Sequence, residues 1–240
     1  MSTPLVFLHG WGQSKQIWQK QQGCFPDALY LNLPGHGGAA DSNNWIEFIA
    51  SQLPESPCVI IGWSLGGTVA MQLALKHPEQ VAALALVAST PSFCSREGWE
   101  HGCSDEMFNA FKSGIESNAA KTMSRFFALM LQGDEITRQD CNGIAHTAID
   151  KATSPSAEGL KRGLELLETC DLRLQLSQIV QSTLVMHGDG DGVIPADAGR
   201  YLAGHIPNSS WQPFKQCGHA PFLTQSETFN EALEAWCHKI

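Results

Sequence analysis

No part of this 240-residue chain approaches the roughly 18 consecutive apolar residues that a membrane-spanning helix needs. Basic residues are scarce: 15 Lys and Arg stand against 24 Asp and Glu, a net charge of −9. Binding to nucleic acid or to a membrane surface needs broad basic patches, so neither is expected, although one local basic face fits this balance. No C-x-x-C pair occurs among the eight cysteines (24, 58, 94, 103, 141, 170, 217 and 237), and metal-ligand spacing is absent. Cys58 and Cys237 fall in apolar-periodic segments, where a free thiol packs as a small hydrophobe. There are no internal repeats, and Met1-Ser2-Thr3-Pro4 leads straight into an apolar strand with no secretory leader before it. The expectation is a reduced, cytoplasmic protein.

What is present suits one substantial core. The chain is 43% hydrophobic, with seven tryptophans to share between the core and an apolar pocket. Short apolar strands are predicted at Leu5–Leu8, Ala28–Leu33, Cys58–Ile61, Val81–Val87, Thr183–Met186 and Ser210–Phe214. Helical periodicity is predicted over Asn43–Gln52, Thr68–His77, Ala196–Gly204 and Thr228–His238. Apolar strands alternating with helices predict an α/β fold with a parallel sheet covered on both faces. From Pro91 to about Val180 no strand is predicted, only helical spacing such as Met123, Phe126, Phe127, Met130 and Leu131. The expected organisation is a core of residues 1–90 and 181–240 interrupted by an all-helical insertion, residues 91–180.

The chemistry centres on Gly62-Trp63-Ser64-Leu65-Gly66, a G-x-S-x-G run between a buried strand and a helix. That context is what a nucleophile elbow requires. The tight turn holds the serine hydroxyl at a helix N-terminus, where backbone N–H groups favour developing negative charge. A serine hydroxyl is a weak nucleophile until a base removes its proton and a carboxylate orients that base. Downstream, Asp189, Asp191 and His219 follow predicted strands, where the loops of an open parallel sheet carry such groups. His9 and His36 also follow strands, but glycine-flanked turns give them structural hydrogen bonding to do.

Taken together, these motifs resemble the α/β-hydrolase superfamily across nearly the whole chain, in the Ser…Asp…His order of that fold. The resemblance implies Ser64 as nucleophile, His219 as base and Asp191 as acid. Asp191-Gly-Val-Ile-Pro195 matches the family's D-x-x-[VI]-P pattern, which leaves Asp189 to cap the turn. Backbone N–H groups of Trp11, after His9-Gly10, and of Leu65 would hold the oxyanion, and their side chains would wall an acyl pocket. No metal or organic cofactor is implied. One departure is expected: the N-terminal antiparallel strands common in this fold are missing or vestigial, leaving a sheet edge exposed.

A narrower likeness joins His9-Gly-Trp-Gly12, Gly62-Trp-Ser-Leu-Gly-Gly67, Arg125-Phe-Phe-Ala-Leu129, Arg138-Gln-Asp140 and Gly218-His-Ala-Pro-Phe222. These look like the pimeloyl-[acyl-carrier protein] methyl ester esterases of biotin synthesis. The likeness implies an acyl channel lined by Phe126, Phe127, Ala128, Leu129 and Met130. It also implies a basic face of Lys121, Arg125 and Arg138 toward an acidic acyl-carrier protein. Lys121 and Arg125, four apart, are expected on one helix face opposite Phe126 and Met130. The alternatives are a small-molecule carboxylesterase or carbon–carbon bond hydrolase with the same triad, a thioesterase, and a non-catalytic binding protein of the same fold.

Overall fold

The computed structural model describes residues 3–136 and 154–240. Six strands form one sheet: β1 (Leu5–Leu8), β2 (Leu29–Leu31), β3 (Cys58–Trp63), β4 (Val81–Val87), β5 (Ser182–Gly188) and β6 (Ser209–Phe214). Their order across the sheet is β2-β1-β3-β4-β5-β6, and every pairing is parallel. The three-residue β2 and the Pro213-bearing β6 lie at the two edges, which suits a residue with no N–H to donate.

Alternation along the central strands feeds two apolar layers, as a sheet covered on both faces requires. Val6, Leu8, Ile60, Leu84 and Leu86 face one layer, with the helices α1 (Trp45–Ala50) and α2 (Leu65–Lys76). Phe7, Val59, Ile61, Ala83 and Ala85 face the other, with Trp18 and the last helix of the chain. Helix α1 is shorter than its periodicity predicts, because the Asn44 side chain accepts the Glu47 N–H and caps it there. Helix α2 starts three residues earlier than predicted, the Ser64 carbonyl accepting from Gly67 and Thr68 N–H.

Between β4 and β5 run α3 (Asp105–Met130) and α4 (Ala157–Thr169). Only the second half of α3 is predicted by spacing. The helix is one 26-residue element bent at Asn118, whose φ of −158° and ψ of 83° are not helical. The Asn118 side chain accepts the Lys121 N–H at 3.0 Å and so caps the second half afresh. Helices α5 (Ala196–His205) and α6 (Ser226–Cys237) complete the chain. No described helix is long and apolar enough to cross a membrane. The described cysteines are free.

Candidate active site

Because all six strands are parallel, the loops after β1, β3, β5 and β6 open at one edge of the sheet. The loop after β3 is Ser64 itself. Its φ of 55° and ψ of −117° lie outside the conformations an L-residue prefers, a strain of about 1–3 kcal/mol. The flanking glycines make this bend possible. A Cβ on Gly62 would stand 2.5 Å from the Gly66 carbonyl oxygen, and one on Gly66 2.4 Å from that of Leu8.

The loops after β5 and β6 bring Asp191 and His219 together. His219 Nδ1 lies 2.7 Å from Asp191 Oδ2, and both side chains are fully buried. Asp191 Oδ1 accepts the N–H groups of Val193 at 2.8 Å and Ile194 at 2.9 Å. Burial by itself would raise the Asp191 carboxyl. The facing imidazole of His219 and hydrogen bonding from His187 outweigh that and hold it well below the usual carboxylate range. Asp189 faces elsewhere, accepting the Gln216 N–H at 2.7 Å.

His219 is held on three sides. Its N–H donates to the Met130 carbonyl at 2.9 Å, its carbonyl accepts the Trp63 indole N–H at 2.9 Å, and its ring lies 5.5 Å from the Trp63 ring. The neighbour of Ser64 is therefore packed on the histidine. His219 Nε2 is buried without a hydrogen-bond partner, so the Ser64 hydroxyl is not bonded to it in this state. Catalytic contacts of this kind often tighten only when substrate arrives.

The loop after β1 approaches the elbow closely. A Cβ on Gly10 would stand 3.3 Å from that of Ser64. Two buried imidazoles brace this loop. His9 Nε2 accepts the Leu33 N–H at 3.0 Å, and His36 Nε2 accepts the Gly12 N–H at 3.1 Å. Each Nδ1 faces a carbonyl at 2.8 Å, Gly10 for His9 and Pro34 for His36. Burial, with His36 nearby, lowers His9 to about 3, and burial lowers His36 to about 4. The Trp11 N–H sits on this braced loop. The Leu65 N–H opens α2, where no intrahelical acceptor exists for it.

A cavity of about 280 Å³ is walled by Phe93, Phe108, Phe111, Phe126, Leu129 and Val193. The expected lining needs correction. Five consecutive helical residues sweep more than a full turn and cannot all face one channel. Phe126 and Leu129 line the cavity, whereas Phe127 and Met130 are buried in the layer shared with Trp18 and Phe222, and Ala128 is exposed. Trp11 and Leu65 do not wall it either. The Trp11 ring packs behind it, edge-on to Phe111 at 5.0 Å and Phe126 at 5.5 Å, and its indole N–H donates to the Leu160 carbonyl at 2.9 Å. Arg125 does not lie opposite the lining. It is exposed yet borders the cavity, the one charged group among the described residues there. Lys121 is exposed, and Arg138 lies outside the described residues.

Four residues escape the reading by motif. The first half of α3 supplies Phe108 and Phe111, whose spacing of three was a usable helical signal. Asp134 accepts the Thr224 hydroxyl at 2.7 Å beside the His219 loop, and burial raises its carboxyl. His187, at the end of β5, touches Asp191. No group of described residues has the make-up of a metal site.

Comparison with known proteins gives a family. The profile of the alpha/beta hydrolase fold matches residues 3–226. The chain is 36% identical over 239 residues to the pimeloyl-[acyl-carrier protein] methyl ester esterase of Nitrosomonas europaea, covering 96% of this chain and 94% of the relative. Against the protein of that name from Proteus mirabilis it is 33% identical over 246 residues, covering 99% and 94%. An esterase from Exiguobacterium antarcticum matches in fold, with a TM-score of 0.88 at 23% identity, covering 99% of this chain and 92% of that one. With a parallel sheet, a strained serine between strand and helix and relatives matching along its length, the chain belongs to the α/β-hydrolase family.

Proposed function

We propose that this protein is a serine carboxylesterase that hydrolyses the methyl ester of pimeloyl-[acyl-carrier protein], releasing methanol and the free pimeloyl thioester for biotin synthesis in the cytoplasm. The observation that carries the chemistry is the buried 2.7 Å contact of Asp191 with His219 beside the strained Ser64 elbow. His219 Nε2 takes the Ser64 proton as Oγ attacks the ester carbonyl. Asp191 stabilises the imidazolium, and the N–H groups of Trp11 and Leu65 hold the oxyanion. His219 then protonates the departing methoxide. Water, deprotonated by the same histidine, attacks the acyl-enzyme, and His219 returns that proton to Ser64 Oγ as the acid leaves. Each step uses side-chain or backbone groups of this chain alone.

The full-length relatives named for the carrier-linked ester support this substrate. The apolar cavity beside Asp191, with Val193 on its wall, suits an acyl chain. Residues 91–180 act in this reading as a cap on a core of residues 1–90 and 181–240. Lys121, Arg125 and Arg138 would then draw an acidic carrier protein to the cavity mouth.

The test is turnover of pimeloyl-[acyl-carrier protein] methyl ester followed by mass spectrometry. The expected product keeps its thioester and loses the methyl group, and Ser64→Ala yields none. Release of the carrier instead would make the protein a thioesterase. Hydrolysis of p-nitrophenyl butyrate with no attack on the carrier-linked ester would leave an esterase of small free substrates.

A further inference from the structure

Asp191 faces two imidazoles, and only that of His219 carries the proton in turnover. His187 closes β5 and is fully buried, its Nε2 3.0 Å from Asp191 Oδ2 and 3.0 Å from the Ile194 carbonyl oxygen. Both neighbours are acceptors, so Nε2 must carry a proton; it donates to the Ile194 carbonyl and lies beside the carboxylate oxygen. Nδ1 is buried without a partner, against Gly199 of α5, where an added Cβ would stand 2.5 Å from it. The ring of Trp211 from β6 lies 6.2 Å away between centroids. The imidazole thus has one polar end, aimed at the carboxylate, and an opposite edge set in packing.

We propose that His187 is a positioning residue, its Nε2–H set between the Ile194 carbonyl and Asp191 Oδ2 and so holding in place the oxygen that faces His219. The proposal rests on the triad reading above. Val193 and Ile194 N–H groups fix the other oxygen of Asp191, so the His187 donor completes a carboxylate tied at both ends. Sharing Oδ2 between two donors also divides its charge. Losing the His187 donor would leave more of that charge facing His219. The other ionisable groups around the cluster are the Asp134 carboxyl, held by Thr224, and the Cys217 thiol on the histidine loop. Both are left in place by the substitutions below, so a shift in the profile reports on His187.

The experiment compares the pH dependence of kcat/KM for p-nitrophenyl butyrate in the wild type, His187→Phe and His187→Gln. Phe keeps an aromatic ring without a donor, and Gln carries an amide N–H to about the position of Nε2. For His187→Phe, kcat is expected to fall about tenfold and the acid limb to move up by about one pH unit, the range for a hydrogen bond to a charged group. His187→Gln is expected to return the limb toward the wild-type position, whatever it does to Tm. A lowered Tm with the acid limb unmoved in both variants would mean packing alone and would overturn the proposal. Nitrogen-15 NMR of the wild type gives a readout independent of whether the variants fold. His187 is expected with its proton on Nε2, and a proton on Nδ1 alone would also overturn it. Ser64→Ala separates the two readings: residual wild-type activity there removes the triad itself, whereas an inactive Ser64→Ala with an unmoved limb removes only His187.

Discussion

The sheet and the helix α3 place their functional side chains by different means. On the sheet, parallel strands deliver Gly10, Ser64, Asp191 and His219 to one edge, because each lies within five residues of a strand end. Position there is a property of backbone, and short motifs specify it. In α3 position depends on rotation about the helix axis. Phe126 and Leu129 turn to the cavity, while Phe127 and Met130 turn into the core layer. The Met130 carbonyl also takes the His219 N–H, so the helix that shapes the cavity braces the histidine loop as well. A residue's place in the sequence is a good guide to its place in the sheet loops and a poor one in α3.

The largest expected effect follows from the sheet side. Ser64→Ala is expected to lose at least about 10⁴-fold in kcat, measured with the carrier-linked ester. Ser64→Gly is expected to be as inactive yet more stable, by about 1–2 kcal/mol, because glycine tolerates a φ of 55° that costs serine energy. Urea unfolding of the pair checks this. A Ser64→Gly protein less stable than the wild type would mean that the elbow stores no strain.

The contrast within α3 comes next. Phe127 is 5% exposed in the core layer, and Phe127→Ala is expected to cost about 3–5 kcal/mol of stability. Phe126 is half-buried on the cavity wall, so Phe126→Ala is expected to cost less stability and to raise KM for long acyl esters more than for short ones. Unfolding curves and a chain-length series measure the two effects. Equal stability losses with equal KM changes would erase the distinction between the two faces.

The legible parts of the molecule share this logic. Strand runs and the elbow are read from local composition, and the pairing of Asp191 with His219 follows from order along the chain once the sheet is parallel. The cavity wall is harder to read, because five neighbouring residues in one motif divide between two environments. The bend at Asn118 escapes the spacing too, since the side chain that recaps the helix is one of several polar residues along it. His187 escapes for another reason: in the sequence it is the polar end of an apolar strand, and only the return of the loop through Asp191 and Ile194 makes it a donor.

A smaller effect should appear with pH. His9 and His36 hold the Trp11 loop as acceptors, and both are lowered from the ordinary 6.5, to about 3 and about 4. The folded protein resists protonating them and the unfolded chain does not, so unfolding takes up protons. Their contribution is complete above pH 6.5 and is lost as pH falls toward 4, by about 2 kcal/mol for each histidine at pH 5. Urea unfolding at pH 7 and pH 5 measures the loss. His36→Gln, whose amide oxygen can still accept the Gly12 N–H, is expected to reduce the pH dependence. A stability independent of pH between 7 and 5 would mean that neither ring is held neutral by the fold.

The smallest effect belongs to the basic face, where exposed charges act through solvent. Arg125 borders the cavity and Lys121 lies four residues before it, so charge reversal at both is expected to weaken encounter with an acidic carrier. A loss of about tenfold in kcat/KM for the carrier-linked ester at low salt is expected, shrinking as salt screens the pair. Because Arg125 also borders the cavity, hydrolysis of p-nitrophenyl butyrate should fall as well, but by less and without the salt dependence. The ratio between the substrates is therefore the informative quantity. Equal, salt-independent losses on both would make Arg125 a wall of the cavity and nothing more, and would return α3 to a single role.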